Sequence, residues 1–273
     1  MKIKLSLAPY IIWMLIFVII PVILIIYFSF TDINKSLSFD NILEAGKYSQ
    51  VFLRSIIIGA ISTVLCLIIG YPAAYLISKV KLKYQNFLIM LLMIPMWTSF
   101  LLRTYAWMTL LEYNGLINKL LVFLGLPRLN MINTPGAIIL GMVYNFLPYM
   151  ILPIYNILVK IDKKIIEAAQ DLGANKFKVF TKIIFPLSLP GIISGITMVF
   201  VPSVSTFVIS KMLGGGSILV IGDLIEMQFL GNNYNPYLGS CISLILMIII
   251  MICMKIMNSL DTQSNYTEKR VKK

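Results

Sequence analysis

Few side chains in this sequence can do covalent chemistry. There is no histidine among its 273 residues, so neither a Ser–His nucleophile nor an HExxH metal site can be built. Cys66, Cys241 and Cys253 all fall inside apolar stretches. They read as inert, lipid-facing or packed thiols, not as clustered metal ligands or a disulfide framework. No catalytic residue and no metal site is expected. A glycine run at Gly214, Gly215 and Gly216 lacks the lysine of a phosphate-binding loop, and no GxxxxGK[ST] occurs anywhere, so ATP hydrolysis is not expected of this chain. Two features remain. One is the charged segment Ile161–Phe185; the other is the carboxylate pair Asp223 and Glu226, one helical turn apart.

The charged segment reads IDKKIIEAAQDLGANKFKVFTKIIF and is followed by Pro186. Ile161, Ile165, Ala168 and Leu172 recur at helical spacing and predict one apolar face. Asp162 suits the start of that helix and Gly173 its end, while Asn175 can cap a second short helix bearing Phe177, Phe180 and Ile184. The segment is thus expected to fold as a helix–turn–helix. Ala168, Ala169 and Gly173 would let another backbone approach closely, and Glu167 offers a charge to a partner's Arg or Lys. An amphipathic interfacial helix without a partner is the plainer alternative.

The remainder of the chain must position these residues, and its composition says in what medium. Hydrophobic residues make up 59% and charged residues 12%, about half the charge of a soluble domain. A water-soluble globule and a disordered chain are both excluded. Six stretches without Asp, Glu, Lys or Arg are long enough to cross a bilayer: Pro9–Phe30, Ser55–Ser78, Gln85–Leu102, Pro135–Leu158, Ile183–Ser210 and Tyr237–Met254. The first follows Lys2 and Lys4, but its apolar run exceeds a signal core and no cleavage pattern follows, so it is read as an uncleaved span. The fold class expected is all-α and polytopic, one membrane domain over residues 1–260 with a polar tail at 261–273. Sixteen of the 23 Lys and Arg fall in one alternating set of loops, which places both termini in the cytoplasm. That distribution, not the net charge of +12, carries the meaning, and nucleic acid is not an expected partner. Lys269, Arg270, Lys272 and Lys273 then serve as a solvated topological anchor. On the other side, Leu116–Leu126 is expected to lie along the interface. There too, the three glycines introduce Ser217–Phe229 as a short or re-entrant helix. Arg103 is expected to anchor the end of the third span.

Glu167, Ala168 and Ala169, followed at fixed intervals by Gly173, Ile183 and Pro186, match the signature of the permeases of ABC importers, with Phe185 where that signature has leucine. The blocks GYPAAYLIS, PMWTSFLLRTYAW, GMVYNFLPYMILPIY, FVPSVSTFVISKMLGGG and LIEMQF resemble the spermidine/putrescine (PotB-like) type. The resemblance covers most of the chain. It implies a six-span permease of the type I importer fold in a bacterial inner (cytoplasmic) membrane, with the 161–186 loop as a coupling helix docking on a separate ATPase. Carried over residue by residue, the coupling set is Glu167, Ala168, Ala169, Asp171, Gly173, Ile183 and Pro186. The resemblance also implies a second homologous permease, two ATPase subunits holding ATP and Mg, and an external substrate-binding protein. No cofactor is implied on this chain.

A polyamine cargo would call for carboxylates and for aromatic faces, each attracting an ammonium by ~0.5–2 kcal/mol. The candidates are Trp97, Tyr105, Trp107, Glu112, Tyr144, Tyr149, Asp223 and Glu226, with hydroxyls from Ser203, Ser205 and Thr206. Each has a plain alternative, since Trp and Tyr gather at membrane interfaces for packing reasons and a carboxylate pair is often a solvated face. Permeases for iron, thiamine or phosphonate share the fold and the loop, so they stay open as alternatives. A self-sufficient secondary carrier is disfavoured by the absence of titratable groups in the spans. The connection Thr31–Arg54 reads either as a contact for the external binding protein or as a plain loop.

Overall fold

A computed structural model describes residues 8–32, 36–231 and 234–271. Lys2, Lys4, Lys272 and Lys273 lie outside the described residues. The described residues are mostly helical, with one isolated antiparallel bridge, Thr31 to Leu37, as the only β pairing among them. In chain order the helices are α1 (Pro9–Ser29), α2 (Asp40–Gly46), α3 (Ser49–Lys79), α4 (Leu82–Trp97), α5 (Phe100–Leu111) and α6 (Leu116–Phe123). There follow α7 (Pro135–Leu158), α8 (Lys163–Asp171), α9 (Lys176–Ser205), α10 (Val208–Leu213), α11 (Ile221–Leu230) and α12 (Pro236–Val271).

Five helices are long and apolar enough to cross a membrane unbroken: α1, α3, α7, α9 and the Pro236–Met257 part of α12. The third expected span is different. The stretch Gln85–Leu102 is not one rod: α4 stops at Trp97, Thr98 and Ser99 are extended, and the chain turns 87° into α5. Pro95 weakens the helix two residues before its end. The Thr98 hydroxyl donates to the Pro95 carbonyl at 2.7 Å, offering that group a partner other than the helix ladder. With this bent pair counted as one, the spans number six. Arg103 consequently sits on α5 beyond the bend, its guanidinium 5.9 Å from the Phe100 ring, and does not mark the end of a straight span.

Other boundaries also moved. The second span begins six residues early, at Ser49. The fifth begins at Lys176 and ends at Ser205, earlier at both ends than the apolar run suggested. The polar tail is carried by the backbone of α12 as far as Val271.

The core is the α3–α7–α9 bundle, whose fully buried residues include Cys66, Ile138, Met142, Met150, Ile154 and Val199. Small residues set its spacing. Gly191 and Gly195 of α9 lie against Pro153, Ile154 and Met150 of α7. This is a small-xxx-small seam of the sort that lets two membrane helices approach closely. α12 packs against α1, α9 and α11 over a second cluster around Ile221, Leu224, Leu238 and Ile242. α1 has no buried hydrophobic side chain, and Tyr10, Trp13, Phe17 and Ile23 are all more than half exposed. Whole apolar faces of this kind belong in hydrocarbon, not in water.

Candidate functional site

The 161–186 segment is built by two side-chain caps and one left-handed residue. Asp162 Oδ1 accepts from the Lys164 N–H at 3.0 Å and starts α8. At its end Gly173 takes φ +81°, while Gly173 N–H donates to Gln170 O and Ala174 N–H to Ala169 O. That pair of bonds is a Schellman stop, for which glycine has no steric penalty. Asn175 Oδ1 then accepts from Lys178 N–H at 2.8 Å and starts α9. The second short helix of the sequence reading is therefore the beginning of the fifth span itself, continued through a π turn at Phe180–Ile184.

Of the apolar stripe expected on α8, only Ile161 meets the spans. Ile161, Ile166, Ala169 and Ala174 pack on the bundle, whereas Ile165 is 46% and Leu172 89% exposed. Both stripes are apolar at helical spacing, and the small Ala169 lets its side approach the spans closely. Glu167, Ala168, Asp171 and Gly173 face outward, and a Cβ at Gly173 would meet nothing within 4 Å. Ile183 is half-buried and Pro186 exposed at the root of α9.

Rigid contacts tie this root to the bundle. Phe180 packs edge-on against Tyr71 and Tyr75, with centroids 5.9 and 5.5 Å away. The Tyr71 hydroxyl lies 3.1 Å from Ser188 Oγ. Tyr155 of α7 donates to Gln85 Oε1 at 3.0 Å, and Gln85 donates in turn to the Ser78 and Val80 carbonyls. Tyr71, Ser188 and Tyr155 did not stand out in the sequence, because Tyr71 and Ser188 pair across 117 residues and Tyr155 with Gln85 across 70.

At the opposite end, α9 breaks after Ser205 and the chain folds into the α10–α11 hairpin, with Gly215 and Gly216 both at positive φ. The expected carboxylate pair is engaged within this hairpin. Asp223 is 7% exposed, accepts from Ser210 Oγ at 2.8 Å and reaches back to the Val220 N–H at 3.1 Å. Burial is the main influence on its carboxyl and pushes its pKa above the ordinary value, against the opposing pull of those two hydrogen bonds. Glu226 is paired with Lys211 at 2.8 Å. Ser55 of α3 accepts from the Ile221 N–H at 2.7 Å and fastens the hairpin to the bundle. Ser55, Ser210 and Lys211 were all missed, since their partners lie 13 to 166 residues away.

The expected aromatic path is only partly assembled. Trp107 and Tyr144 meet edge-on at 5.4 Å, and Tyr149 lies near Phe146. Trp97 is 75% and Tyr105 55% exposed, on either side of the bend. Glu112 is exposed at the end of α5. Ser205 returns its hydroxyl to Val201 O and Thr206 is half-buried. Ser203 is 2% exposed, with an Oγ that has no partner. Asn145, on α7, likewise has an unpartnered Oδ1.

Comparison with known proteins accords with this architecture. The family model of the binding-protein-dependent transport system inner membrane component matches residues 3–262. The chain is 36% identical over 251 residues to the spermidine/putrescine transport system permease protein PotB of Haemophilus influenzae, covering 88% of this chain and 87% of that one. It is 37% identical over 248 residues to the protein of that name from Escherichia coli, covering 87% and 90%. In fold it resembles a chain of a bacterial ABC transporter that imports the acidic polysaccharide alginate, with TM-score 0.82, 17% identity and 96% and 95% of the two chains covered. A chain of the MetNI methionine ABC transporter gives TM-score 0.60 at 15% identity, covering 79% and 95%. With the match spanning nearly its whole length, the chain belongs to the family of binding-protein-dependent transport system inner membrane components.

Proposed function

We propose that this chain is the membrane-spanning permease subunit of an ATP-driven importer of polyamines, spermidine or putrescine, and provides half of the translocation pathway. The observation that carries the reading is the outward face of α8, capped at both ends and set on the root of the bundle, in a chain so similar to polyamine permeases. In this reading residues 1–260 are one permease domain in a bacterial inner membrane, both termini are cytoplasmic, and α8 is the coupling helix. A separate ATPase pair binds ATP and Mg and grips Glu167, Ala168, Asp171 and Gly173, while Ala169 seats the helix on the bundle and Ile183 and Pro186 form the hinge behind them. A second homologous permease completes the path, and an external binding protein delivers cargo at the hairpin end.

The mechanism follows from the connections. α8 joins α7 and α9 through links too short to absorb a displacement. A push on it therefore moves both helices, and their glycine seam makes them move as a pair. α9 reaches the opposite end of the bundle, where its break and the Ser55-fastened hairpin form the external gate. Lys211 sits on Glu226 as a primary ammonium. The 59% exposure of its side chain makes that pair weak and exchangeable, so an ammonium of the cargo can take its place. Trp107 and Tyr144 supply adjoining aromatic faces for a second ammonium.

The test is uptake of labelled spermidine by cells lacking this chain, before and after its restoration, and after restoration as Glu167→Lys. Uptake should return with the native chain and remain absent with the variant, although the variant reaches the membrane. Normal uptake with Glu167→Lys would remove the docking role, and no spermidine-dependent difference with all partners present would remove the cargo.

A further inference from the structure

A cavity of about 380 Å³ lies between the α3–α4 turn and α8. Three lysines converge on it: Lys79 and Lys81 from one wall, Lys163 from the other. No carboxylate lines it. The nearest one in sequence, Asp162, uses its Oδ1 on the Lys164 N–H. Among the described residues none of the three lysines is in an ion pair, and Lys79 rests over the Tyr75 ring with its Nζ 5.1 Å from the centroid. The remaining wall is apolar, with Leu82, Leu158, Val159 and Ile166, while Gln85 brings a buried amide.

Positive loops alone would scatter their charge outward. Here two separate segments bring three lysines to the lining of one concavity whose other side is the greasy end of the spans. Such a site repels a polycationic cargo, so it is no part of the transport path. Its chemistry is that of a phosphate group attached to something apolar, and basic pockets at the ends of spans are where anionic lipid headgroups bind. We propose that this cavity holds the headgroup of an anionic phospholipid from the adjoining leaflet, its phosphate among Lys79, Lys81 and Lys163 and its acyl chains along Leu82 and Val159. The lipid bridges the α3–α4 turn and the coupling helix, so its presence sets how firmly α8 is seated. The cytoplasmic placement of that leaflet rests on the topology proposed above, but the binding itself does not.

The experiment uses the complete transporter, purified with its partners and placed in nanodiscs of phosphatidylcholine with or without phosphatidylglycerol. Retained phospholipid is counted by native mass spectrometry. Wild type should retain phosphatidylglycerol in preference to phosphatidylcholine. Lys79→Gln with Lys163→Gln should weaken that retention by about 30-fold, each lysine being worth about fivefold. Lys83→Gln with Lys255→Gln, equal in charge but outside the cavity, should leave it unchanged. Equal retention of both lipids by wild type would overturn the proposal even if the variant failed to fold. So would retention unaffected by the cavity substitutions, or displacement of the lipid by millimolar inorganic phosphate. Loss of the ATPase from the cavity variant, with lipid retention intact, would assign the lysines to subunit docking and overturn it as well. Spermidine uptake by the native assembly is scored separately, so failure of the cargo reading is not confused with failure of this one.

Discussion

Truncating Leu172 to alanine should loosen the grip of the ATPase without loosening the permease. Leu172 is 89% exposed at the last turn of α8, and its side chain contributes nothing to the buried core. Its removal should therefore change the permease's own stability by no more than about 0.5 kcal/mol. If the ATPase groove closes over it, the loss is the transfer free energy of its extra methylenes, about 2 kcal/mol. That corresponds to about 30-fold weaker docking. The assay is titration of purified permease complex with its ATPase in detergent, followed by a thermal melt of the permease alone. Ile166→Ala is the counterpart on the other stripe, where the side chain packs against the bundle, and should lower the melt while leaving docking nearly intact. Undiminished ATPase affinity for the Leu172 variant, or a lowered melt in place of weakened docking, would refute the assignment of the outward face.

Three further outcomes follow from the same geometry. In Gly191→Ala the new Cβ would stand 2.9 Å from the Pro153 carbonyl oxygen and 3.0 Å from Ile154 Cα. These are backbone atoms that cannot step aside, so thermal unfolding should show a loss of about 1–3 kcal/mol, and an unchanged melt would mean the α7–α9 seam is looser than described. For Asp223, in α11 outside the spans, the raised pKa means that the folded protein holds this proton more readily than the unfolded one. Its contribution to stability is thus greatest below the ordinary value of 3.8 and is lost as the pH rises toward the folded pKa. Melts of the native protein and Asp223→Asn across this range should diverge with that sign, and parallel profiles would contradict it. Gly173→Ala meets open space but must adopt φ +81°, at about 1–2 kcal/mol. Faster hydrogen exchange confined to residues 163–179 is expected, and a general loss of protection would show that the stop supports more than the loop.

The long apolar runs identified the spans because one bilayer thickness selects them almost by length alone. The caps of α8 and of the start of α9 were legible for a local reason: Asp162, Gly173 and Asn175 act on backbone groups within a few residues of themselves. The bend at Thr98 was hidden because hydropathy averages across it, and because a proline with neighbouring hydroxyls is tolerated inside membrane helices. The choice between the two apolar stripes of α8 was undecidable from periodicity, since it turns on Ala169 fitting the bundle more closely than Leu172 can. The engagement of Asp223 by Ser210 and of Glu226 by Lys211 depended on a chain reversal that the three glycines suggested but did not orient. The aromatic set was chosen by residue type, and type alone could not say that only Trp107 and Tyr144 would meet.

The bare stripe of Ile165 and Leu172 also bears on how a cell would count copies of this protein. A chain made in excess of its ATPase leaves that stripe in water, where exposed leucine and isoleucine invite chaperones and proteases. Docking of the proposed kind would hide it. Surplus subunits would then be removed while complete transporters persist, and the ratio of permease to ATPase would be corrected after synthesis by the face proposed for docking.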